Sequence, residues 1–377
     1  MTIVIYITII ISFLYLIIAF LTFWGLKKKS HSQNIETPFV SVIIAARNEE
    51  KYIQNCLNSL KKLNYPSEKI EYLLINDRST DSTGQYLKQF DEQVKNSRII
   101  NVSKLLENRT GKINALIPAT QAAKGDLFLF TDADCEVPED WVQSFIKHFG
   151  PKTGMIGGFL VLDRLDKKSP VFHCLQSLDW IFLCTIGFGW TNLAMPLSVF
   201  GNNIAIKKCI YEESGGFESI GNNITEDYAL LKNVLSRTTA QVNFILDVKN
   251  AVYTKPVNTI QDFFTQRKRW AVSSYKRNLL SVILLLISFL FRIMIIINLL
   301  FQNYIIGLTA LLLLTLLDTA TLFYPLKKLN RLYLLKYLFP FEIYVTVYQL
   351  ILAPVALFAK KIQWKSDKYS IDKKILQ

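Results

Sequence analysis

The sequence predicts an α/β domain on a mostly parallel sheet, flanked at both ends by helices that cross a membrane. Three observations lead there. Apolar, β-favouring runs alternate with helical patterns at roughly 25–35-residue spacing, the signature of a parallel sheet covered on both faces. One such run, Leu127–Thr131, ends in Asp132-Ala-Asp134. Long apolar stretches open the chain and dominate its last hundred residues.

The first stretch, 3–24, is almost wholly apolar and long enough to cross a bilayer as a helix. No basic segment precedes it, and Lys27-Lys28-Lys29 follows, so it is expected to be an uncleaved anchor with its lysines on the cytoplasmic side. Residues 30–38 read as a polar linker. Phe39–Ala45 reads as a buried strand, and Arg47-Asn48-Glu49-Glu50 as the opening of a helix, with Asn48 as its N-cap. Ile53, Leu57, Leu60 and Leu63 repeat at helical spacing along it. Tyr72–Asn76 is a second strand ending at Asp77, and Ile99–Val102 a third. A helix follows Gly111-Lys112, and the strand at Leu127 comes next.

Ligands of open α/β sheets bind beyond the carboxyl ends of the strands. Two hard oxygen ligands there, Asp132 and Asp134, suit Mg²⁺ or Mn²⁺, which take a few carboxylates and share the rest of their shell with substrate phosphates. An Asp-rich turn would leave the same trace.

After Gly150 the pattern loosens. Gly154–Leu162 and Gln241–Ile245 read as strands, with Ala251–Thr254 a further short one. A helix is expected from about Thr225, capped by its hydroxyl. Pro170–Trp190 is apolar and aromatic with Asp179 inside it, and reads as an amphipathic helix rather than a span. Thr259–Lys276 is apolar along Ile260, Phe263, Phe264 and Trp270 and basic along Arg267, Lys268, Arg269 and Lys276. Such a helix lies in the headgroup plane, with Arg267 and Lys268 facing lipid headgroups. Leu279–Leu300 and Tyr304–Tyr324 are two expected spans, and Arg292 within the first needs a protein or interfacial partner. Residues 338–359 are interrupted by Pro340, Glu342 and Pro354. A full crossing would put six lysines outside, so a re-entrant or interfacial path with a cytoplasmic tail is expected.

The 377 residues carry a net charge of +13 and a mean hydropathy of +0.24. In a membrane protein this basicity points to anionic headgroups on the cytoplasmic side, and no nucleic-acid motif is present. Five cysteines without CxxC spacing argue against a disulfide framework or zinc site.

The polar signals fall in a fixed order: Ser41-Val-Ile-Ile-Ala-Ala-Arg-Asn-Glu-Glu50, the Asp77 loop, Asp132-Ala-Asp134, Glu226-Asp227 and Gln266-Arg-Lys-Arg-Trp270. Over about residues 39–275 this resembles the family 2 glycosyltransferases, of the inverting, membrane-attached, GT-A-fold kind. The resemblance implies a nucleotide-sugar donor, UDP-linked, with Asp77 contacting the uracil; this chain has Asn76-Asp77 where many members have two aspartates. It implies a metal on Asp134, with Asp132 contacting the metal or the sugar-nucleotide, and Asp227 as catalytic base. Gln266, Arg269 and Trp270 would close the site, Arg269 meeting the diphosphate and Trp270 lining the acceptor site. Lys112, at a helix N-terminus, would add positive charge near the diphosphate.

The implied organisation is a membrane anchor at 1–29, a cytoplasmic GT-A domain at 30–258, an interfacial motif helix at 259–278, membrane helices at 279–359 and a basic cytoplasmic tail at 360–377. The chain would be a multi-pass protein of a bacterial cell membrane acting on a lipid or membrane-bound glycan acceptor. Two other readings stay open: a processive polysaccharide synthase, which the Gln-Arg-x-Arg-Trp form suits, and a non-catalytic membrane scaffold that keeps the fold.

Overall fold

A computed structural model describes residues 2–27, 37–104, 111–162, 169–221, 225–273, 279–358, 361–364 and 367–370. Most of the expected linker, Lys28 and Lys29, Lys276, and most of the lysines of the tail lie outside these residues. The chain divides into two compact units. One comprises 29–164 and 191–255; the other comprises 1–28, 165–190 and 256–377.

In chain order the elements begin with helix α1 (Thr2–Lys27), then β1 (Val40–Ala46), α2 (Ile53–Leu60), β2 (Ile70–Asp77), α3 (Thr83–Gln93) and β3 (Ser97–Val102). Next come α4 (Lys112–Ala122), β4 (Leu127–Asp132), α5 (Trp141–His148), β5 (Thr153–Gly158), β6 (Leu160–Leu162) and α6 (Val171–Asn192). They are followed by β7 (Ile204–Lys207), α7 (Lys208–Glu213), α8 (Glu226–Arg237), β8 (Gln241–Ile245) and β9 (Val252–Thr254). Helices α9 (Ile260–Ser273), α10 (Leu279–Leu300), α11 (Tyr304–Lys328) and α12 (Leu338–Phe358) precede a terminal hairpin, β10 (Lys361–Trp364) and β11 (Asp367–Ser370).

The first unit is built on a seven-stranded sheet in the order β3-β2-β1-β4-β7-β5-β8. β1 pairs in parallel with both β2 and β4, and β7 runs antiparallel to its two neighbours. Strands buried on both faces must be apolar throughout. Accordingly, Val42, Ile43 and Ile44 of β1 and Leu127–Phe130 of β4 are buried. From β1 the chain winds outward through β2 and β3, then returns to place β4 on the other side of β1. That reversal is a topological switch point, and its crevice lies beyond the carboxyl ends of β1 and β4. The stretch Gly154–Leu162 is two strands rather than one, and β6 leaves the main sheet to pair with β9.

The loop after β1 differs from expectation. Asn48 does not cap a helix: α2 starts at Ile53, and Asn48 has φ +54°. Its Oδ1 accepts the Thr80 backbone N–H at 2.8 Å, while the Glu49 N–H donates to Thr83 Oγ1 at 2.8 Å. The loops after β1 and β2 therefore brace each other at the carboxyl edge. Asparagine tolerates the left-handed region that this path demands.

In the second unit, four helices among the described residues are long and apolar enough to cross a membrane: α1, α6, α10 and α11. Helix α6 is set apart, since about two-thirds of its apolar window is buried. It packs closely on α1: a Cβ at Gly25 would lie 2.0 Å from the Gly189 carbonyl oxygen, and Trp190 Nε1 donates to Thr22 Oγ1 at 3.0 Å. Only small residues allow such an approach. Gly189→Leu is therefore expected to force the two helices apart and destabilise this unit by about 1–3 kcal/mol, read as a lower thermal midpoint in detergent. An unchanged midpoint would refute the close crossing.

Arg292 has the partners it was expected to need. Its guanidinium meets Glu342 of α12 at 2.7 Å and Asp318 of α11 at 3.4 Å, and Tyr15 of α1 donates to Asp318 Oδ1 at 2.5 Å. Four helices thus meet at one buried polar cluster. Helix α12 runs unbroken from Leu338 to Phe358, so Pro340, Glu342 and Pro354 do not interrupt it. Pro340 stands in the first turn, where a missing N–H forfeits no helical bond, and Glu342 is the buried partner of Arg292.

Candidate functional site

The switch-point edge of the sheet gathers most of the expected residues. Asp77 ends β2 and Asp132 ends β4, with β1 between them. Asp132 is aligned with Ala45, and Asn76 with Ala46. Two inter-strand steps separate the two aspartates laterally, roughly 10 Å. Asp77 is buried, and Arg78, at φ +56°, grips its carboxylate with Nε at 2.8 Å and a terminal nitrogen at 3.2 Å. That fork fixes the plane of the carboxylate.

Lys112 opens α4 directly after Gly111, whose φ of +66° favours glycine. It is not a solvated lysine. Its ammonium is ion-paired with Asp132 and lies 3.6 Å from Glu226 Oε1 at the start of α8. Burial works against its charge, but the Asp132 and Glu226 carboxylates outweigh burial and hold Lys112 above the usual lysine range. Burial pushes the Glu226 carboxyl up to about 7; Lys112 opposes that rise and Asp227 adds to it.

Asp227, in the first turn of α8, accepts the Gly201 N–H at 2.9 Å on Oδ2 and the Tyr228 N–H at 2.7 Å on Oδ1. Thr225 holds the N-cap position, as expected, but makes no side-chain cap bond. The Gly201-Asn202-Asn203 stretch thereby contributes to the site through its first backbone N–H, which orients Asp227.

Asp134 lies two residues past the end of β4. Burial pushes its carboxyl up to about 6, and Asp132 and Glu49 add to the rise. The buried Cys135 thiol donates to it at 3.4 Å. Lys112 thus stands among three carboxylates, Asp132, Glu226 and Asp227, and Asp132 in turn adjoins a fourth, Asp134. This excess of negative charge around partly exposed carboxylate oxygens fits a divalent cation. Among the described residues no three acidic, histidine or cysteine side chains form a metal cage. Two carboxylates that leave the remaining positions to phosphate and water are a donor set suited to Mg²⁺ or Mn²⁺.

Gln266, Arg269 and Trp270 lie on α9, in the other unit. Trp270 packs edge-on against Trp180 of α6, with centroids 4.6 Å apart. Arg267 corrects the expectation of a headgroup-facing arginine. It is buried, ion-paired with Asp179 of α6, and its guanidinium lies 4.1 Å from the Trp270 ring centroid. A lone acidic residue in an apolar segment is the signal that could have found this pair, because a buried Asp179 requires a cation. Glu49 lies in the first of the polar stretches and Gly201 in a Gly-Asn-Asn loop, but the sequence assigns neither a role, since nothing local marks a backbone N–H or a loop glutamate that acts across the fold.

A family model described as glycosyl transferase family 2 matches residues 41–171, and one described as glycosyl transferase family group 2 matches residues 127–356. The chain is 26% identical over 246 residues to a beta-monoglucosyldiacylglycerol synthase from Nostoc sp., covering 64% of this chain and 50% of that protein. It is 29% identical over 214 residues to a poly-beta-1,6-N-acetyl-D-glucosamine synthase of Staphylococcus aureus, covering 55% of this chain and 48% of that protein. The chain thus spans about half the length of these curated relatives. Among solved structures it is similar to a mannosyltransferase from Pyrobaculum calidifontis in complex with GDP-Man and Mn²⁺. The TM-score is 0.56 at 16% identity, covering 92% of this chain and 99% of that one. That likeness concerns the fold, and the sheet unit has the GT-A architecture expected of it.

Proposed function

The chain belongs to the family 2 glycosyltransferases, and from that premise we propose that it moves a sugar, with inversion, from a UDP-sugar to a lipid-linked acceptor at the cytoplasmic membrane face. The observation that carries this reading is the placement of Lys112, Asp132, Asp134, Glu226 and Asp227 at the switch point of a parallel sheet. That is where a donor's diphosphate needs positive charge and its sugar needs an attacking hydroxyl.

In this reading Asp77, held by Arg78, receives the uracil. Asp227 accepts the proton of the acceptor hydroxyl as its oxygen attacks the anomeric carbon from the side opposite the diphosphate. The new glycosidic bond forms while the bond to the diphosphate oxygen breaks, and the nucleoside diphosphate leaves. Lys112 and Arg269 offer cationic groups to the departing diphosphate, and Gln266 and Trp270 orient donor and acceptor. When bound by Asp134 and Asp132, Mg²⁺ or Mn²⁺ supplies Lewis-acid neutralisation of the leaving group. The terminal helices and the likeness to a glycolipid synthase support a membrane-bound acceptor. Lys27, Lys327, Lys328, Arg331 and Lys336 beside the apolar helices support the cytoplasmic orientation. The likeness to a poly-N-acetylglucosamine synthase supports a second reading, repeated addition to a growing polymer.

The test is a donor screen. Protein purified in detergent is offered UDP- and GDP-linked sugars with a membrane lipid extract, and products are read by mass. One sugar added to a lipid is expected, and a ladder of lengths would establish the polymerase instead. EDTA is expected to abolish transfer and added Mn²⁺ or Mg²⁺ to restore it. Full activity after thorough chelation would refute the metal assignment, and no transfer from any donor would refute the function.

A further inference from the structure

Helix α9 is clamped from two sides by side chains outside its motif. From α6, Asp179 receives the Arg267 guanidinium on Oδ2. From α12, the Tyr348 hydroxyl donates to Asp179 Oδ1 at 3.0 Å. Arg267 lies 5.0 Å from the Phe263 ring centroid and 5.9 Å from that of Tyr348, besides its 4.1 Å contact with Trp270. Phe172 of α6 meets Phe263 edge-on at 5.6 Å. Gln176 of α6 binds both backbone groups of Val257, just ahead of α9, at 2.9 and 3.1 Å.

The geometry of the helix says what such a clamp holds. At about 100° per residue, Phe263, Arg267 and Trp270 fall within an arc of about 60°. Gln266 and Arg269 follow on one side, about 40° and 100° beyond Trp270. Locking Arg267 therefore sets the rotation of the helix, and with it the directions of Gln266 and Arg269. The indole of Trp270 is held directly, between the guanidinium of Arg267 and the ring of Trp180. A buried ion pair is a poor source of stability, because desolvation offsets much of the attraction. Its better-attested use is to select one arrangement among several. Arginine suits that use here because its planar group can pair with a carboxylate and stack on an indole at once.

We propose that Asp179 and Arg267 are positioning residues for glycosyl transfer, a buried pair that fixes the rotation of the motif helix and so aims Gln266, Arg269 and Trp270. The proposal rests on the transferase reading, and its test separates the two. Arg267→Met is expected to lower kcat per folded molecule about 100-fold, the scale of an ångström-size misplacement. Arg267→Lys should recover only part of that loss, since it restores charge without the planar stack. Asp179→Leu with Arg267→Met, an apolar pair, should keep the thermal midpoint yet stay slow. A purely structural pair would instead shift the midpoint and leave kcat per folded molecule unchanged, which would overturn the proposal.

A second readout needs no activity. Nitroxide labels at the exposed Thr265 and Val347 report the distance between α9 and α12, in a Cys209→Ser background that removes the exposed thiol. A narrow distance distribution in the otherwise unaltered chain should broaden in Arg267→Met. An unbroadened distribution sinks the clamp whatever the activity. Broadening in a protein inactive with every donor would uphold the clamp and refute the transferase reading.

Discussion

An Asp227→Asn enzyme is expected to transfer sugar about 10²- to 10⁴-fold more slowly than wild type, the usual contribution of a general base. The substitution changes little else. An amide oxygen can still accept one of the two backbone N–H bonds from Gly201 and Tyr228, so the lost bond costs about 1 kcal/mol. The amide cannot take the acceptor's proton. Single-turnover transfer, with nucleotide binding and the thermal midpoint measured alongside, isolates the chemical step. The base assignment is wrong if the rate stays within a few-fold of wild type. It is equally wrong if nucleotide affinity collapses along with the rate, because Asp227 would then be a donor ligand. Glu226 is the control: its neighbour is Lys112, so Glu226→Gln should perturb diphosphate binding more than the proton transfer.

The largest stability effect is expected from Arg292→Met. Removing one member of a buried charge pair strands the others, at a cost of about 3–5 kcal/mol. Here Glu342 and Asp318 would both be stranded, and the Tyr15 bond that ties α1 to α11 leans on the same carboxylate. The variant should lose yield and melt well below wild type in detergent. Adding Glu342→Gln and Asp318→Asn should restore much of the loss, because the stranded charges then vanish. If Arg292→Met is as stable as wild type, the cluster is not what joins these four helices.

The legible part of the chain is the part written in local pattern. The runs at Phe39–Ala45 and Leu127–Thr131 can be recognised as buried strands because both faces of a central strand must be apolar. The candidate site is legible in outline for a related reason: carboxylates placed straight after such strands lie at one edge of the sheet. Asn48 misleads because an asparagine before a helical pattern and one in a left-handed loop look alike in sequence. Arg267 misleads because periodicity marks a basic face but cannot tell which cation on it has a buried acid waiting. Pro340, Glu342 and Pro354 look like interruptions because a proline in a first turn and a glutamate with an arginine partner are tolerated only in context.

The sequence by itself determined the alternation of strands and helices, the order of the acidic motifs and the long apolar helices at both ends. Each of these follows from neighbours within a few residues, or from segment length against bilayer thickness. Only the tertiary structure decided that Lys112 sits between Asp132 and Glu226, that Gly201 orients Asp227, that Arg292 joins Glu342 and Asp318, and that Asp179 holds Arg267. Lys112 and Asp132 are 20 positions apart in the chain, and Asp179 and Arg267 are 88 apart. Charge attracts charge through space, and the sequence carries no local record of which distant segments the hydrophobic core will bring side by side.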